Sequence, residues 1–222
     1  MPKMVLRALL FNWLVLCVVA TASAADGGRP VKIVAFGDSL TAGYRLRPAD
    51  SFPKQLEREL KARGQAVEVI NAGVSGDTTA AGLERLPWAV VDGTDAVILE
   101  FGANDALRGL SVAAARDNLD KMLAALSERK IPVLLAGMVA PRGLGPDYIA
   151  KFDAMYAELA RKHGAALYPF FLDGIALKPE LNLDDGVHPN AKGVAVIVER
   201  MLPAVETLIK RAQTRAPVAT KG

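Results

Sequence analysis

The stretch Val31-Lys32-Ile33-Val34-Ala35-Phe36-Gly37-Asp38-Ser39-Leu40-Thr41 decides the fold. Ile33 to Phe36 is a continuous apolar run, the pattern of a strand covered on both faces. It stops at Gly37, and a small polar cluster follows. In an open α/β sheet the carboxyl ends of the strands are where ligands and chemistry gather. Ser39 stands at such an end. Taken alone, Gly37-Asp38-Ser39 also reads as an ordinary strand-to-helix turn in which Asp or Ser caps a helix.

Outward from this stretch the same pattern repeats. Apolar runs at Lys32–Phe36, Ala66–Asn71, Ala96–Phe101, Pro132–Gly137 and Ala166–Tyr168 predict five strands. Helical spacing separates them. Phe52, Leu56 and Leu60 mark a helix from Ser51 to Arg63, ended by Gly64, and a shorter one from Thr78 to Trp88 is expected to break near Pro87. Ser111 can cap Val112–Arg129, and Pro146–His163 ends at Gly164. Asn190 can cap a last helix, which Pro203 is expected to kink or restart. Repeated β-α alternation predicts one α/β domain, residues 25–212, built on a five-stranded parallel sheet with helices on both faces. Residues 213–222 read as a flexible tail.

Residues 1–24 differ from the rest. Lys3 and Arg7 precede an apolar segment, and Ala22-Ser23-Ala24 forms a small-residue cleavage site. This is the pattern of a secretory signal peptide, removed to leave a periplasmic or secreted chain with no stable membrane anchor. A retained anchor is the alternative, since no charge falls between Arg7 and Asp26. Cys17, the only cysteine of the 222 residues, lies inside this segment after Leu16, so lipidation is not expected and the mature chain has no thiol chemistry. Loss of Lys3 and Arg7 lowers the net charge from +3 to +1. No basic patch interleaved with aromatics remains to suggest nucleic acid.

The residues that carry chemistry sit in the loops after the strands. A serine hydroxyl needs a base to take its proton. Of the two histidines, His163 stands at a helix end beside Gly164 and reads as a solvated cap. His188, in Asp184-Asp185-Gly186-Val187-His188-Pro189-Asn190, follows a carboxylate by three residues across a glycine turn. At that spacing Asp185 can reach Nδ1, fix the tautomer and stabilise the imidazolium. Asp184 is the competing carboxylate, and Asp184, Asp185 and His188 could alternatively ligate a metal. The serine lies outside a G-x-S-x-G elbow, which argues against the usual α/β-hydrolase arrangement. Acyl transfer also needs donors for an oxyanion. Gly76 after the second strand can offer a closely approaching N–H, and Asn104 after the third can offer its amide. Each also reads as a routine turn or cap residue.

Four blocks in order, Gly37-Asp38-Ser39-Leu40, Gly76, Gly102-Ala103-Asn104-Asp105 and Asp185-Gly186-Val187-His188, resemble the signature of the GDSL, or SGNH, hydrolases. Further matches are Gly43-Tyr44, Ser75-Gly76-Asp77-Thr78, Asn104 to Gly109, Pro169-Phe170-Phe171 and Leu177-Lys178-Pro179. The resemblance runs from about Val31 to the final helix and is nearest the bacterial periplasmic thioesterases, lysophospholipases and arylesterases. Ala103 departs from it where relatives often carry glycine. The resemblance implies a flavodoxin-like three-layer α/β/α fold and hydrolysis of acyl esters, thioesters or lysophospholipids through an acyl-serine. Ser39 would be the nucleophile and an N–H donor. Gly76 N–H and the Asn104 side chain would complete the oxyanion hole, with His188 as acid–base and Asp185 orienting it. No metal or other cofactor is implied, and a monomer with a shallow, mobile site is expected. Leu107, Leu110, Met138, Ala140 and Pro141 lie in or beside loops that could flank an acyl chain, with ordinary loop packing as the alternative, and Arg108 is expected to be solvated, with contact to an anionic headgroup as the alternative. An SGNH carbohydrate acetylesterase and a non-catalytic flavodoxin-like binding module are the rival readings. The second lacks both G-x-G-x-x-G and a P-loop lysine in Gly37–Gly43.

Overall fold

A computed structural model describes residues 29–214. The expected signal peptide and most of the expected tail lie outside the described residues. Five strands, β1 (Val31–Gly37), β2 (Val67–Gly73), β3 (Ala96–Glu100), β4 (Val133–Ala136) and β5 (Ala166–Tyr168), form one all-parallel sheet in the order β2-β1-β3-β4-β5. The strands agree with the sequence reading to within a residue or two at each end. Among the described residues seven α-helices accompany them: α1 (Ser39–Ala42), α2 (Phe52–Ala62), α3 (Thr79–Ala89), α4 (Ala103–Leu107), α5 (Val112–Glu128), α6 (Pro146–His163) and, after the last strand, α7 (Ala191–Gln213). α2 packs on α7, while α3, α5 and α6 pack in series, so two helical layers enclose the sheet. Phe36, Ile33, Ile98, Leu99 and Leu134 are buried between them. This is the flavodoxin-like order, with the chain reversing its direction across the sheet at β1.

The reversal positions the site. β1 lies between β2 and β3, in register from Gly37↔Gly73 on one side and Gly37↔Glu100 on the other. The three strand ends carrying Ser39, Gly76 and Asn104 are therefore adjacent. Asp38 caps α1 through its side chain, which accepts from Leu40 N–H at 3.0 Å. Ser111 and Asn190 cap α5 and α7 as the sequence predicts.

α3 ends two residues past Pro87, close to the expected break, whereas Pro203 does not restart α7, which continues through it. A proline inside a helix removes one N–H donor and crowds the preceding turn. Pro87 stands in the last turn of α3, where little helix remains to disrupt. Pro203 lies on the exposed face of α7, and the carbonyl it leaves without a donor, that of exposed Glu199, can turn to water. α7 also reaches Gln213, one residue past the expected domain boundary.

Candidate active site

β1 ends at Gly37, and the next two residues deliver the first functional group. Ser39 is the first residue of α1 and is 8% exposed. Its Oγ lies 2.9 Å from His188 Nε2, and His188 Nδ1 lies 2.9 Å from Asp185 Oδ2. The loop that carries Asp185 and His188 thus reaches the strand end that carries Ser39. Its shape is set locally. Leu183 N–H donates to His188 C=O at 2.8 Å, and a bridge pairs Asn182 with Pro189. Gly186 takes a φ of +68°, a left-handed turn that glycine adopts at little cost. The turn lets Asp185 Oδ1 accept from both Val187 N–H and His188 N–H, each at 2.9 Å.

These bonds fix the electrostatics. The His188 backbone N–H, with the Val187 N–H and the His188 ring, holds the Asp185 carboxyl down to about 2. An ionised Asp185 only accepts, so His188 Nδ1 carries the hydrogen. Nε2 is then the bare nitrogen, able to accept from the Ser39 hydroxyl. Tyr44 lies against the imidazole, ring centroids 4.5 Å apart. The sequence marked Tyr44 by resemblance without giving it a role. Asp184 turns away and pairs with Arg45 at 2.7 Å. Among the described residues, no group of three His, Cys, Asp or Glu side chains is gathered as a metal would require. His163 is not a solvated cap: its Nε2 meets Asp120 at 2.6 Å, at the opposite edge of the sheet from Ser39.

The expected oxyanion donors lie on the adjacent loops after β1, β2 and β3. Among the described residues the N–H groups of Ser39 and Gly76 have no hydrogen-bond acceptor. Gly76 needs to be glycine for its φ of +87° rather than for space, since an added Cβ would meet only Arg108 Nη2, at 3.7 Å. Arg108 donates to the Gly76 carbonyl at 2.8 Å, so it holds this peptide rather than standing free for a headgroup. Asn104 differs from expectation. Its two amide hydrogens are both engaged, with Asp38 Oδ2 at 3.1 Å and Asp77 C=O at 3.0 Å. To reach an oxyanion, Asn104 must share a hydrogen or release one of these acceptors.

Sequence reasoning missed the layer beneath. Glu100, at the end of β3, is fully buried. Its Oε2 accepts from Asp38 N–H at 3.2 Å and Thr41 Oγ1–H at 2.8 Å, while Oε1 has no partner among the described residues. Burial pushes Asp38 up to about 6, against the hydrogen bonds it accepts from Leu40 and Asn104. Burial and then the nearby Asp38 charge push Glu100 well above the ordinary carboxylate range. A glutamate inside the apolar run Ala96–Phe101 was the signal that could have found it. Asp105 ties α4 to the start of α3, accepting from Thr79 N–H at 2.8 Å and Thr79 Oγ1–H at 2.6 Å. Of the residues expected along an acyl chain, Leu107 and Leu110 are exposed on the rim, whereas Met138 and Ala140 are buried in the core. A cleft of about 250 Å³ lined by Lys130, His163 and Arg211 lies at the far edge of the sheet, away from Ser39.

Comparison with known proteins agrees with this architecture. Residues 35–196 match the model of the GDSL-like lipase/acylhydrolase family. An arylesterase of Vibrio mimicus is 38% identical over 184 residues, spanning 82% of this chain and 90% of that protein. The esterase TesA of Pseudomonas aeruginosa is 33% identical over 205 residues, 92% of this chain and all of that one. The crystal structure of AlinE4, an SGNH-hydrolase family esterase, superposes with a TM-score of 0.69 at 47% identity, covering 85% of this chain and 99% of that one. With most of its length inside the family model and full-length relatives on either side of a third identity, the chain belongs to the GDSL-like lipase/acylhydrolase family and is an ester-hydrolysing enzyme.

Proposed function

We propose that this enzyme hydrolyses acyl esters, acyl thioesters or lysophospholipids through an acyl-Ser39 intermediate, with Ser39, His188 and Asp185 as the catalytic residues. Ser39 Oγ attacks the substrate carbonyl as its proton passes to His188 Nε2. Asp185 stabilises the imidazolium through Nδ1. Negative charge develops on the carbonyl oxygen, where the N–H groups of Ser39 and Gly76 receive it and the Asn104 amide joins them. As the intermediate collapses, His188 returns the proton to the departing alkoxide or thiolate. Water, deprotonated by the same imidazole, then releases the acyl group from Ser39. These residues carry the whole sequence of steps without a cofactor.

The observation that supports this reading is the continuous chain from Ser39 Oγ to His188 to Asp185, 2.9 Å at each link. Val74, Leu107, Leu110 and Val187 are exposed apolar side chains on the loops that bear Gly76, Asn104 and His188. That rim favours an acyl chain over a sugar. The test is a panel of p-nitrophenyl esters, butyrate to decanoate, run beside acyl-CoAs with Ser39→Ala as control. The wild type is expected to hydrolyse the panel, and Ser39→Ala to lose about a thousandfold or more in kcat. Undiminished turnover in the variant would remove the serine mechanism.

We also infer export. The residues that carry the signal-peptide pattern end at Ala24, ahead of β1 at Val31–Gly37. Among the described residues no helix is long and apolar enough to cross a membrane. Mass spectrometry of the exported protein is expected to find a chain starting at Ala25. An intact N-terminus would count for a retained anchor.

A further inference from the structure

Arg85 projects from α3, on the side of the sheet away from α2 and α7. On an amphipathic helix a lone arginine usually reaches water. Here the side chain is only 12% exposed. Gly82, one turn earlier, lets α3 lie close on the sheet: a Cβ there would come within 2.7 Å of the Phe101 ring. The guanidinium consequently sits over Phe36, 4.4 Å from the ring centroid, and 5.6 Å from that of Phe101.

Each nitrogen then binds a different segment. Nη2 donates to the Gly37 carbonyl at 2.7 Å, Nη1 to the Ala72 carbonyl at 2.8 Å, and Nε to the Asp77 carboxylate. Gly37 precedes Ser39 by two residues, and Ala72 lies at the end of β2. Asp77 follows Gly76 and accepts from Asn104 through its carbonyl. One planar cation therefore joins the segments that carry Ser39 and Gly76 and reaches Asn104 through Asp77, and no flexible ammonium can match that fork.

We propose that Arg85 is a positioning residue that sets the spacing of the Ser39, Gly76 and Asn104 donors. The inference rests on the serine mechanism above. Arg85 touches no substrate atom, so its loss shifts the donors rather than removing one. A misplacement of this kind weakens binding of the tetrahedral state more than of the ground-state ester.

The test compares wild type, Arg85→Lys, Arg85→Met and Asp77→Asn with a p-nitrophenyl ester and an alkylboronic acid. The boronic acid takes Ser39 Oγ into a tetrahedral anionic adduct, so its affinity reads the oxyanion site directly. Arg85→Met is expected to lose about tenfold to a hundredfold in kcat, with boronate affinity falling by a similar factor and KM little changed. Arg85→Lys should recover part of the loss. Asp77→Asn keeps the carbonyl for Asn104 but discharges the ion pair, and it should show the same signature more weakly; with Arg85→Lys it decides the matter if Arg85→Met does not fold. Boronate affinity equal to wild type in the folded Arg85 and Asp77 variants overturns the proposal. So does a rise in KM alone. Activity surviving in Ser39→Ala would sink the underlying mechanism instead, which keeps the two failures distinct.

Discussion

Asp185 shows how three bonds from one short turn prepare a carboxylate. Two backbone N–H groups and the His188 ring converge on it, and its charge persists down to about pH 2. Loss of activity on acidification above about pH 2 is therefore not protonation of Asp185. Asp185→Asn keeps the shape but removes the anion, and its amide can present the wrong group to Nδ1. The variant is expected to lose roughly a hundredfold to ten-thousandfold in kcat/KM. Steady-state kinetics of the folded variant check this, and undiminished kcat/KM would mean that Asp185 does not act through His188.

The strands were readable because each is an apolar run bounded by turn residues, and the end of β1 follows from Gly37. The long helices were readable from spacing and caps, as with Ser111, Gly164 and Asn190. α1 and α4 were not, because four or five residues are too few to show a helical period, and their sequences read equally as turns. Pro203 does not restart α7 for a different reason: a proline's cost depends on where its lost partner faces, which only packing decides. The same division runs through the site. Ser39, Asp185 and His188 were legible as a set because their chemistry demands one another, and they meet in one hydrogen-bonded chain. Arg85 and Glu100 were not, because what they hold is backbone and buried carboxyl that no local pattern names. Asn104 was found by type, but its engagement with Asp38 and Asp77 depends on the meeting of three strand ends.

The β1–β3 junction concentrates the reactive groups above two buried carboxyls, and the fold's stability should register it. Asp38 and Glu100 are both fully buried, with His188, Asp105 and Tyr156 the other titratable groups near the pair. Burial raises both carboxyls, Asp38 to about 6 and Glu100 well above its ordinary value. The folded protein thus keeps protons that the unfolded chain gives up above about pH 4. Stability from this source is full below the unfolded carboxylate range and is lost as pH rises through the folded values. Glu100→Gln is nearly the same shape as the protonated acid. Its Oε1 can accept from Asp38 N–H and Thr41, and its amide nitrogen takes the place of the oxygen that lacks a partner. The variant cannot ionise, and it spares Asp38 a like charge. Thermal unfolding midpoints of wild type and Glu100→Gln, followed from about pH 4 to about pH 9, should lie close together at the acid end. They should separate toward the alkaline end, with the variant the more stable. Because the remaining carboxylates are common to both proteins, their difference isolates the buried pair, and parallel curves would show that Glu100 is not held protonated by the fold.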